Sequence, residues 1–142
     1  MSLVMDASAL VKIVIEEEMS GEARRVLREA LASGYEVNVP EIALAEVLNA
    51  LWRHRVMIQD LSEEEFKGAL EDVLILWSKL SVHKTYMLAR QAIDIAVKHR
   101  ITVYDALYLA LAAITNSVLL TFDKELKRIA EELGITTSPE TM

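Results

Sequence analysis

The sequence predicts an α/β fold, a central parallel sheet of four to five short strands flanked by helices. Three observations lead there. Short apolar runs suited to strands alternate with longer stretches of helical periodicity, the pattern of strands joined by crossover helices. The apolar fraction, 53% of 142 residues, is high enough to bury much of that helix and strand in one core. Two of the strands end at or just before an aspartate, and in parallel α/β folds ligands bind beyond the carboxyl ends of the strands.

The elements follow in order. Ser2 to Asp6 reads as a short buried strand, followed by a helix from about Ala9 to Glu17. Ser20-Gly21-Glu22 opens a second helix that ends near Ser33-Gly34, where glycine is suited to a left-handed stop. Glu36 to Val39 is a second strand, closed by Pro40. Glu41 to Met57 forms a long helix with apolar positions at Ile42, Leu44, Ala45, Leu48, Leu51 and Trp52. Ser62 and Glu65 make a capping box for a helix running to about Lys79. A short extended piece near Leu80-Ser81-Val82 precedes helices over Thr85–Lys98 and Tyr104–Thr115. Ser117 to Thr121 is a strand, Lys124 to Leu133 an amphipathic helix stopped by Gly134, and Ile135-Thr136 a last short strand. The expected organisation is one domain over residues 1–137, with 138–142 a loosely ordered tail.

Composition removes several function classes. There is no cysteine, which excludes disulfide scaffolds and thiolate metal sites and fits a cytoplasmic protein. No secretory leader is legible at the N-terminus. Residues 103–122 approach membrane-spanning length, but Asp105 and Thr115-Asn116-Ser117 interrupt them, so a buried helix and strand are expected and no membrane span. The net charge is −7, from 15 Lys+Arg against 22 Asp+Glu, which argues against a protein that coats nucleic acid through a basic surface. It argues less against a metal-dependent nuclease, whose acids are neutralised by cations, and it suits a basic protein partner.

Four acids lie in unusually apolar surroundings: Asp6, Glu46, Asp105 and Asp123. A carboxylate beside buried apolar segments is costly unless paired, hydrogen-bonded or bound to a cation. Each has a plain alternative role. Asp6 and Asp123 are placed to cap helices, Asp105 stands three residues after Thr102 in a near capping box, and Glu46 fits a solvated helix position. Together they suggest one site, because helix N-termini in such folds point to the same sheet edge. All-oxygen ligation favours magnesium or manganese. Ser8 and Thr121 offer hydroxyls beside Asp6 and Asp123, while Asn49 and Arg53 share a helix face with Glu46. Lys12, one turn after Ser8, and Arg53 are candidate phosphate contacts. His54, His83 and His99 show no metal-ligand spacing, and His99, between Lys98 and Arg100, reads as a surface residue. Gly21, Gly34, Gly68 and Gly134 are scattered and form no phosphate loop. Trp52 and Trp77 fit core or interface positions.

The segments Asp6-Ala7-Ser8-Ala9-Leu10-Val11-Lys12, Glu46-Val47-Leu48-Asn49-Ala50-Leu51, Tyr104-Asp105-Ala106-Leu107-Tyr108-Leu109-Ala110-Leu111-Ala112 and Leu120-Thr121-Phe122-Asp123-Lys124-Glu125-Leu126 resemble the ordered signatures of PIN-domain proteins. The nearest subgroup is the VapC-type toxins of prokaryotic toxin–antitoxin pairs, and the resemblance extends from Ser2 to about Thr136. It implies a single PIN-like domain and a magnesium- or manganese-dependent endoribonuclease whose products carry a 5′-phosphate and a 3′-hydroxyl. It also implies a homodimer held inactive by a cognate antitoxin. By position Asp6, Glu46, Asp105 and Asp123 match the family's acidic quartet, Thr121 its small hydroxyl position and Asn49 a common polar neighbour. Val73-Leu74-Ile75-Leu76-Trp77 is a candidate dimer surface. Three alternatives stand beside this reading. One is an RNA-processing nuclease that is not a toxin, and another a silent acidic cleft that clamps a basic protein. The third is phosphoryl transfer with Asp6 as covalent nucleophile, where the haloacid-dehalogenase pattern wants an acid at the position of Ser8.

Overall fold

Strand β1 (Ser2–Met5) occupies the middle of the sheet: Leu3, Val4 and Met5 are buried, and Leu3 and Val4 have parallel partners on both sides. The structure, a computed structural model, describes residues 1–140. On one side β1 pairs with β2 (Glu36–Pro40), which pairs with β3 (Ser81–His83); on the other it pairs with β4 (Val118–Leu120), which pairs with β5 (Thr137–Ser138). All pairings are parallel, in the order β3-β2-β1-β4-β5, and Leu3 lies between Val37 and Val118. The chain therefore winds outward from β1 in one direction and resumes at β4 in the other. That reversal between β1 and β4 is the topological switch point, where such sheets open a crevice beyond their carboxyl ends.

Helix α1 (Ala7–Val14) starts two residues earlier than its sequence pattern suggests and ends earlier too. Asp6 caps it, and Ile15 is already extended. Glu16, Glu17 and Glu18 would place three carboxylates at the negative end of the helix dipole. Ser20 ties this turn instead, donating to the Ile15 carbonyl and accepting from the Glu17 amide, both at 2.9 Å. Helix α2 (Ser20–Ala32) closes near Gly34, whose φ of 76° is the left-handed stop expected there.

Helix α3 (Ile42–Trp52) does not run on as a regular helix to Met57. It passes into a π-helical turn over Arg53–Ile58, ended by Gln59 at a φ of 62°. Helix α4 (Glu63–Trp77) carries the expected capping box, with Glu65 amide to Ser62 Oγ at 3.1 Å and the Ser62 amide to Glu65 Oε1 at 2.9 Å. In the Val73–Trp77 run Val73 is buried and Leu74 and Ile75 are exposed. Trp77 packs against the core, whereas Trp52 is half exposed.

Helix α5 (Thr85–His99) packs along α6 (Val103–Thr115), which also lies against β1, β2 and β4. Residues Ala106 to Ala112 of α6 are buried without interruption, so the long apolar stretch is a core helix followed by a core strand. Among the described residues no helix is long and apolar enough to cross a membrane. His99 is not the surface residue its flanking cations suggest: most of its side chain is buried, with Nδ1 3.6 Å from Glu132. Helix α7 (Lys124–Glu132) leads to β5, which forms at Thr137–Ser138, two residues beyond the expected strand. Ser138 accordingly joins the sheet, Pro139 is buried, and Lys127 donates to the Pro139 and Glu140 carbonyls. The expected loose tail therefore does not begin at Ser138; its last residues, Thr141 and Met142, lie outside the described part.

Candidate active site

Asp6 follows the last residue of β1, and Thr121 follows the last residue of β4, so the two face each other across the switch point. Asp6 is 4% exposed and accepts three hydrogen bonds. Its Oδ1 accepts from Ser8 Oγ at 2.6 Å and from the Ala9 amide at 2.9 Å; its Oδ2 accepts from Thr121 Oγ1 at 2.5 Å. Each hydroxyl is held in turn by the backbone after β4, with the Phe122 amide donating to Ser8 and the Asp123 amide to Thr121, both at 3.0 Å. The two central strands are thus locked together through one carboxylate.

The other acids arrive from three helices, two of them at the helix start. Asp123 caps α7, its Oδ1 accepting from the Leu126 amide at 3.0 Å, and is exposed. Asp105 lies in the first turn of α6. Its amide donates to Thr102 Oγ1, but its carboxylate accepts no hydrogen bond among the described residues, so the capping box is one-sided and that carboxylate is free. Glu46 projects from α3 and accepts from the phenol of Tyr108 on α6. Tyr108 is 2% exposed and was not legible as a site residue, since its spacing on α6 is that of core.

Electrostatics show that the acids sense one another. Burial raises Asp6 to about 6, partly offset by Ser8, Thr121 and the Ala9 amide, with the Asp123 charge adding to the rise. Burial also raises Asp105, helped by Asp123, and raises Glu46, where the Tyr108 phenol opposes and Asp105 assists. Tyr108 is pushed up by burial, then by its bond to Glu46 and the charges of Glu46, Asp6 and Asp105, so the phenol stays protonated and donates. None of the four acids has an ion-pair partner among the described residues.

The acids are in electrostatic reach of one another but are not drawn into a cage. Among the described residues no three acids or histidines stand at metal-binding distance. Like charges this near repel, and a cation would relieve that repulsion. The donor set fits a hard divalent cation. It is all oxygen, and among the described residues Glu46 Oε2 and Asp123 Oδ2 accept no hydrogen bond and Asp6 Oδ2 has one donor. The histidines are engaged elsewhere: His54 with Asp60, His83 Nε2 with Asn38 at 2.8 Å, and His99 toward Glu132.

An open cleft adjoins the acids, lined by residues including Ala7, Glu46, Asn49, Arg53 and Tyr104. The two candidate phosphate contacts are placed differently. Arg53 faces this cleft. Lys12 is bonded to Glu17 at 3.1 Å and the Glu18 carbonyl at 2.9 Å, with its ammonium 5.2 Å from the centre of the Phe122 ring.

Comparisons with known proteins bear on the family and the fold. The PIN domain profile matches residues 3–132. Ribonuclease VapC3 of Pyrobaculum aerophilum is 37% identical over 139 residues, covering 98% of this chain and 100% of the relative. Among solved structures, a further Pyrobaculum aerophilum protein superposes with a TM-score of 0.70 at 21% identity, over 96% of this chain and 90% of the other. Mycobacterium tuberculosis VapC20, a toxin that cleaves the sarcin-ricin loop, gives 0.65 at 19% identity, over 89% and 94%. At those identities the structures speak to the fold alone.

Proposed function

The chain belongs to the PIN domain family, and we propose that it is a metal-dependent endoribonuclease, the toxin component of a VapBC-type pair. One observation carries the proposal. Four carboxylates from four separate elements lie around the switch point, each within electrostatic reach of at least one other, and none has an ion-pair partner among the described residues. A relative that matches nearly the whole chain is a ribonuclease.

In this reading Asp6 is the central ligand for a magnesium or manganese ion, oriented by Ser8 and Thr121. Asp105 and Asp123 complete the set, directly or through water. Glu46 binds the ion or orients the attacking water through Oε2, while Tyr108 holds Oε1. When bound, the divalent cation supplies charge neutralisation at the phosphate and acidifies water. Arg53 contacts a substrate phosphate, and Asn49 supports it from the preceding turn. The acidity of the chain favours a narrow RNA target and a basic antitoxin as partner, and the lack of cysteine fits a cytoplasmic setting. Exposed Leu74 and Ile75 on α4 are assigned to a homodimer; a monomer by light scattering at working concentration contradicts that part.

The test is cleavage of RNA by purified, partner-free protein. Activity should vanish in EDTA and return with magnesium or manganese. Full cleavage in EDTA, or none with either metal, overturns the proposal.

A further inference from the structure

The cleft beside the acids has a composition that the four carboxylates do not explain. Tyr104 stands at its wall, 58% exposed, directly before Asp105, on a helix whose Ala106–Ala112 segment is buried. Packing therefore does not account for the ring. Arg53 lines the same cleft with no ion-pair partner among the described residues; Arg28, Arg90 and Arg100 are unpaired there too, so what sets Arg53 apart is its place beside Glu46. In a chain of net charge −7, a guanidinium that opens onto the same cleft as Glu46 puts a positive charge beside the acids, where an anion would be attracted. Asn49, one turn before Arg53, likewise makes no side-chain hydrogen bond among the described residues, and Ala7 and Ala45 leave the floor low.

We propose that this cleft is a subsite for one unpaired nucleotide next to the cleaved bond, with its base stacked on Tyr104 and its phosphate held by Arg53. The inference rests on the nuclease reading above and adds which side chain receives the base. An aromatic face beside a cation is the pair of groups by which single strands are bound, and stacking tolerates any base because every base has a π-face. A base inside a duplex has both faces covered by its neighbours, so it cannot occupy such a site. The acidic surface supplies no long electrostatic track. Affinity then depends on one stacked base and about one phosphate contact, which gives a shallow salt dependence, a log–log slope of about −0.7.

The experiment uses a single-stranded RNA that the wild-type protein cleaves, and the same RNA with an abasic residue at each position flanking the cleaved bond. Tyr104→Ala should raise KM by roughly 5- to 150-fold, the range for one stacked base, with kcat little changed. Tyr104→Phe should stay near wild type, since it keeps the ring. An abasic residue at one flanking position should penalise the wild type by a similar factor and add nothing in Tyr104→Ala. Arg53→Gln should bring the salt slope from about −0.7 to near zero. An unchanged KM in Tyr104→Ala, or an abasic penalty undiminished in that variant, overturns the subsite while leaving the nuclease reading intact. Failure of the wild type to cleave any RNA with magnesium or manganese overturns both.

Discussion

Asp6 is a buried carboxylate with three donors and no counter-charge, and its titration makes a prediction with a definite sign. Its folded value of about 6 lies above the usual 3.8, so the folded state binds the extra proton in the window between them. The stability that this protonation contributes is lost as pH rises through about 6, amounting to roughly 3 kcal/mol at neutral pH. Glu46 and Asp105, also raised, act in the same direction. The exposed Glu22, Glu65 and Glu125 are lowered from 4.5 and act oppositely, but only at more acid pH. In EDTA, denaturant unfolding should therefore show greater stability near pH 5.5 than near pH 7.5. Saturating magnesium should abolish the trend, and so should Asp6→Asn. A metal-free protein equally stable at both pH values would mean that Asp6 carries no such penalty.

Between elements, the joint that matters for the site is Tyr108 on α6 with Glu46 on α3. Losing the phenol leaves a half-buried carboxylate short of a donor, a cost of about 1–3 kcal/mol. It also frees Glu46 to turn, and outer partners of metal ligands are worth about 10- to 100-fold in metal affinity or activity. Tyr108→Phe should raise the magnesium concentration for half-maximal activity by about tenfold or more, with kcat largely recovered at saturation. An unchanged half-saturation point would make the contact merely structural. This joint also marks where sequence reading stops. Asp6, Asp105 and Asp123 were legible because each sits at a strand end or helix start, where a carboxylate stands out against apolar neighbours. Tyr108 was not, because on an all-buried helix its spacing is the same as that of Leu107 or Leu111. The parallel pairing of the sheet and the capping box at Ser62 were legible from the sequence, whereas the strand order depends on long-range packing. The early end of α1 depends on Ser20 bonding back to Ile15, and the burial of His99 depends on α5 and α7 meeting. The π-helical turn at Arg53 has no cue in local propensity.

For the whole molecule, one topological fact organises the rest. The chain leaves β1 toward β2 and returns beside it as β4, which brings residues 115 positions apart into one hydrogen bond between Thr121 and Asp6. Repelling acids are assembled there by a core that tolerates them, and a protein that binds a cation only when folded gains stability from it. Asp6 and Asp123 also hold helix ends, so their loss mixes folding with function. Glu46 caps nothing and is the cleaner probe. The most direct test is therefore RNA cleavage with magnesium by Glu46→Gln beside the wild type, with thermal unfolding measured on both. The account predicts unfolding temperatures within a few degrees and a loss of cleavage of about 100-fold or more, the scale for a group acting on the transition state. A folded Glu46→Gln that cleaves RNA as fast as the wild type would contradict it.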